Sequence, residues 1–97
     1  MALARLRAGS PPQVDADTMH IYKLLNKWCM NCHIIDGVGG KDGPELTHAG
    51  RELDLATIEQ RIIDPSMLDP AAEMPAFGER ISPEDIRKMA EWLSRRK

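Results

Sequence analysis

Ninety-seven residues make one small domain, near the size at which an apolar core alone becomes marginal. One Phe, one Tyr and two Trp leave little aromatic mass for such a core, so a chain of this kind calls for a staple. The formal charge of −2 is split, +2 over the first 28 residues and −4 from Cys29 onward, and no basic run is long enough for nucleic acid. Arg95-Arg96-Lys97 falls at a helix C-terminus, where cations are favoured anyway.

Residues 1–16 read as a leader or linker, with Ser10-Pro11-Pro12-Gln13 as its breaker, and residues 17–97 as the domain proper. The start carries two arginines but lacks the apolar centre of a secretory signal, and no stretch has the length of a membrane span. From Asp15 a helical pattern begins, with Asp15, Asp17 or Thr18 able to cap it. Thr18, Ile21, Tyr22, Leu25, Trp28, Cys29 and Cys32 recur at spacings of three and four, so one buried face carries both cysteines.

Cys29-Met30-Asn31-Cys32-His33 is the informative segment. On one helical turn, residues three and four apart share a face. Two thiols can then each bind a porphyrin vinyl group while the imidazole reaches the iron, which is the attachment signature of a c-type haem. A covalently held haem would also serve as the missing core. A redox-active dithiol is the first alternative, but such a pair accompanies a βαβ pattern, and no strand run is evident here. A zinc site drawing on Cys29, Cys32, His48 and His20 is the second, although its two histidines are far apart, unlike the tight pairs of zinc modules.

Gly37 to Gly43 reads as a turn that lets backbone pass close to something flat; Asp42 breaks any phosphate-loop frame. Gly43-Pro44 stops a helix and sets an extended path. Asp54 can cap a further helix with Leu55, Ile58 and Ile62 on one face, ending before Pro65. Residues 64–77, with three prolines, read as irregular. Ser82, Pro83 and Asp85 form a capping box for a last helix, whose stripe is Ile86, Met89, Ala90 and Leu93 with Trp92 at its border.

A low-spin iron needs a second axial ligand. Met19 and Met30 lie too near the attachment segment, and Met89 belongs to a core stripe. Met67 and Met74 remain, both in the irregular stretch. Met74 is favoured, because Pro75 extends the backbone there and Phe77 can cover a ring edge; Met67 and His48 stay open as alternatives. His20 reads as a solvated residue.

With this signature, Gly43-Pro44-Glu45-Leu46, Met74-Pro75-Ala76-Phe77 and the last helix in order, residues 17–97 resemble the class I c-type cytochromes, in their compact bacterial monohaem form. The resemblance implies an all-α fold, three to five helices wrapped around one haem c attached through Cys29 and Cys32. It implies His33 and Met74 as axial ligands and the Pro44 carbonyl as acceptor of a hydrogen bond from the His33 ring. Arg51 becomes a candidate partner for a haem propionate, a solvated arginine being the alternative. In one respect the chain departs from the family: Ile21 and Leu25 stand where a glycine and an aromatic usually let the first helix cross the last, although Trp92 keeps the last-helix aromatic. Either those helices lie further apart, or Tyr22 and Trp28 supply the surface.

The function so implied is one-electron transfer rather than enzymatic turnover. Redox partner proteins would dock transiently at an exposed haem edge. The alternative is an electron-entry domain of a larger redox enzyme or membrane complex, and a third reading is a haem sensor or peroxidase-like site. Haem attachment implies a periplasmic or other location outside the cytoplasm, with an export signal, anchor or fused domain expected beyond this sequence.

Overall fold

The computed structural model describes residues 2–7, 9, 13–67, 71 and 74–97. The chain divides into two compact units, Met1–Thr47 and His48–Lys97.

In the first unit, α1 (Ala2–Arg7) packs on α2 (Ala16–Leu24). The stretch read as a leader thus contains a helix, and its Leu3 is buried. Asp15 is the N-cap of α2, its carboxylate accepting from the Thr18 amide at 2.7 Å. At Leu25–Cys29 the helix widens into a single π turn, closed by the Met30 amide on the Leu25 carbonyl at 2.9 Å. The extra residue rotates the side chains that follow. Leu25, Cys29 and Met30 become buried, while Trp28 is only half-buried, with the Lys27 ammonium 4.8 Å from its ring centroid.

Besides its helices, the mostly helical chain carries one short two-stranded hairpin. Ile34–Ile35 (β1) and Val38–Gly39 (β2) pair antiparallel, Ile34 opposite Gly39 and Ile35 opposite Val38. The cause is the Asp36-Gly37 pair, with φ of 54° and 87°, the two positive values that a tight two-residue hairpin requires. The Thr47 hydroxyl accepts from the Asp36 amide at 2.9 Å and the Ile34 carbonyl from the Leu46 amide at 2.8 Å, so the chain after the hairpin is held against β1.

In the second unit, α3 (Leu55–Ile63) packs on α4 (Pro83–Ser94). Asp54 caps α3 through the Thr57 amide at 2.8 Å, and Ser82 caps α4 through the Asp85 amide at 3.2 Å. Ile58, Ile62, Phe77, Ile81, Ile86, Met89, Ala90 and Leu93 are among its buried apolar residues, and full burial of each large one is worth about 1.5–3 kcal/mol. Within the stretch expected to be irregular, Pro65–Met67 forms a single 3-10 turn. A second such turn, Ala49–Arg51, is fastened to the end of the chain by the Gly50 amide on the Arg96 carbonyl at 2.8 Å. Among the described residues, no helix is long and apolar enough to cross a membrane.

Candidate cofactor site

The Cys29–His33 segment is one closed turn: the Cys29 carbonyl accepts from the Cys32 amide at 3.2 Å and from the His33 amide at 3.0 Å. The side chain of Asn31, between the cysteines, donates to the Lys27 carbonyl at 2.9 Å and ties this turn to the π turn before it. The loop that follows folds back on the same backbone. The Gly40 amide donates to the Met30 carbonyl at 2.9 Å and the Gly43 amide to the Cys32 carbonyl at 2.6 Å. This clasp is absent from the motif itself; the density of glycine between residues 37 and 43 was its only trace in the sequence.

Both cysteines are free thiols, Cys29 buried and Cys32 half-buried. Burial pushes the Cys29 thiol up to about 12, and the neighbouring Cys32 adds to the rise. Such a thiol holds its proton at neutral pH and makes a poor attacking thiolate, which disfavours the dithiol exchange reading.

His33 is 8 % exposed, and its Nδ1 lies 2.7 Å from the Pro44 carbonyl oxygen, in the hydrogen bond that the resemblance implied. A carbonyl can only accept, so Nδ1 carries the proton and Nε2 presents a lone pair. The same contact orients the ring and raises its basicity toward a metal. Gly43 closes one side of the imidazole; a Cβ built there would lie 2.7 Å from Nδ1.

Apart from His20, the remaining candidates belong to the second unit. Met74 is half-buried, and the chain beyond it is tied to α3 by the Phe77 amide on the Ile62 carbonyl at 3.0 Å. Met67 is 71 % exposed, and its sulfur accepts from the Gln60 amide group at 3.2 Å. Met89 is fully buried on α4, as a core residue. Arg51 is exposed, and its Nε donates to the Lys97 carbonyl. His20 and His48 are exposed. Among the described residues, no three His, Cys, Asp or Glu side chains converge as a bare metal ion would require.

The donor set fits a haem: two reduced thiols on one turn, followed by an imidazole whose Nδ1 is bonded to Pro44, with the missing Cβ of Gly43 making room for that ring. A mainly helical small chain bearing this turn is a c-type cytochrome domain. Residues 16–93 match the family model described as cytochrome c oxidase, cbb3-type, subunit III, and the chain belongs to that family. No curated protein and no solved structure matches the chain. Membership carries covalently bound haem c and haem-based electron transfer, in a family that forms part of an oxidase complex and typically lies outside the cytoplasm.

Proposed function

We propose that this chain carries single electrons through one haem c held by thioethers to Cys29 and Cys32, with His33 and Met74 as axial ligands. The observation that carries the reading is the Cys29–His33 turn, which holds two free thiols and an imidazole whose Nδ1 is already committed to Pro44. When bound, the haem supplies reversible one-electron chemistry between ferrous and ferric iron.

The protein's own groups do the rest. Cys29 and Cys32 would hold the haem through thioethers, each formed by addition of an S–H across a vinyl group with the proton going to the adjacent carbon. No oxidant is needed, but both thiols must be reduced beforehand. The Pro44 carbonyl keeps the Nδ1 proton of His33 in place, so Nε2 is the ligating atom. Met74 offers a thioether, a soft ligand that favours ferrous iron and raises the potential. Burial of His33 keeps water from its side of the metal.

Acid–acetone extraction followed by optical spectra tests this reading. Colour that stays with the polypeptide supports covalent attachment, and a weak far-red band in the oxidised form reports sulfur–iron ligation. A colourless chain from a host that matures such pigments would overturn it.

The family match favours a second reading of the setting, in which the domain works as a component of an oxidase complex rather than as a free carrier. A haem-containing oxidase preparation with this chain present in stoichiometric amount supports that setting. A soluble pool outside the cytoplasm supports the mobile carrier.

A further inference from the structure

Met67 is a thioether that the electron-transfer reading leaves unused. It closes the 3-10 turn after α3, with its amide on the Asp64 carbonyl at 3.3 Å, and it is the most exposed of the described methionines. Met30 and Met89 are fully buried, and Met19 and Met74 are half-buried. An oxidant arriving from solvent therefore meets the Met67 sulfur first.

A second observation concerns what faces that sulfur. Nε2 of Gln60, half-buried on α3, donates to it at 3.2 Å. A thioether is a weak acceptor, so the amide gains little from this contact. An S=O oxygen is polar and accepts strongly. The donor already aimed at the Met67 sulfur thus suits the sulfoxide better than the thioether.

We propose that Met67 is a modification site for peroxide-class oxidants, converted to its sulfoxide ahead of the other described methionines and held in that form by Gln60. A sulfur lone pair attacks one peroxide oxygen, and the S–O bond forms as the O–O bond breaks. Sulfur loses two electrons, and hydrogen peroxide is reduced to water. The same step at Met30 or Met89 would place a polar S=O group in an apolar core. At Met67 the new oxygen faces solvent and the Gln60 amide. The turn beneath it is fastened separately, by the Ser66 amide and hydroxyl on the Asp64 carboxylate at 3.0 and 2.6 Å, so the fold survives the change.

The test treats the haem-loaded ferric chain with excess hydrogen peroxide and follows oxygen addition at each methionine by fragment-ion mass spectrometry, which separates Met67 from Met74. Met67 gains its oxygen about tenfold faster than Met30 or Met89 and several-fold faster than Met19 or Met74. The singly oxidised chain keeps the parent's urea midpoint and far-red band, while the side-chain amide resonances of Gln60 move. In Met67→Leu, the same treatment leaves those resonances in place. Oxygen appearing first at Met74 with loss of the far-red band, or at all these methionines at one rate, overturns the proposal. So do Gln60 resonances that stay put in the oxidised parent. A colourless parent chain overturns the haem reading alone, since the order of oxygen addition and the Gln60 shift can be read without the pigment.

Discussion

Gly43 lies flat against the imidazole of His33, so close that a Cβ at residue 43 would stand 2.7 Å from Nδ1 and nearer still to Cε1. The next residue, Pro44, gives its carbonyl to the same Nδ1 at 2.7 Å. One dipeptide therefore sets both the position and the tautomer of the ring. In Gly43→Ala the ring or the loop must shift, and the His33–Pro44 bond lengthens or breaks. Overpacking of this kind costs about 1–3 kcal/mol. The expected result is a lower urea midpoint and a moved Nδ1 nitrogen resonance; a midpoint and resonance equal to the parent's would show that the loop yields freely.

Met74 and Met67 can be separated by three measurements on the haem-loaded chain. Axial ligands span about 0.8 V of haem potential, so removal of the thioether in Met74→Ala should lower the potential by on the order of 0.1 V or more. The far-red band should vanish, and carbon monoxide should bind the reduced protein without denaturant. Met67→Ala should leave all three unchanged, because that side chain is 71 % exposed and bonded to Gln60. The reverse outcome would transfer the ligand role to Met67.

Met89 offers a contrast between core and ligand. It is 0 % exposed on α4, in line with Ile86, Ala90 and Leu93. Met89→Ala should cost about 2–5 kcal/mol through lost burial and the cavity left behind. The potential and the far-red band should not move, since the residue touches the fold and not the metal. A large spectral change with little loss of stability would contradict this assignment.

The helix starts were legible because capping is local: Asp15, Asp54 and Ser82 each bind an amide three residues on, a relation written in adjacent residues. The stripe of α4 was legible for a similar reason, since its four buried residues recur at spacings of three and four. The π turn was not, because one added residue in a helix leaves no mark in composition; Thr18, Ile21, Tyr22 and Trp28, expected on the buried stripe, are half-buried, while Leu25 and Cys29 are buried. The hairpin had a signal in Asp36-Gly37, but strands of two residues offer no alternation to accompany it. At the site, the motif showed which groups converge on one turn, and the resemblance pointed to Pro44.

Acid should act on this fold through its helix caps. The hydrogen bonds from Thr57 to the Asp54 side chain hold that carboxyl below its ordinary 3.8, and Thr18 does the same for Asp15. A carboxyl whose folded pKa is depressed contributes stability above the unfolded value and loses it as pH falls through the folded one. For Asp54 the loss therefore begins as pH falls through the ordinary carboxylate range and is complete only once the lowered folded value has been passed. Asp54→Asn keeps a side-chain oxygen for the Thr57 amide but removes the titration. Urea midpoints measured down that range should fall less steeply in Asp54→Asn than in the parent, and the Asp15→Asn, Asp54→Asn double variant should be flatter again. Parallel profiles for all three proteins would mean that acid unfolds the chain elsewhere, through carboxylates that do not cap helices.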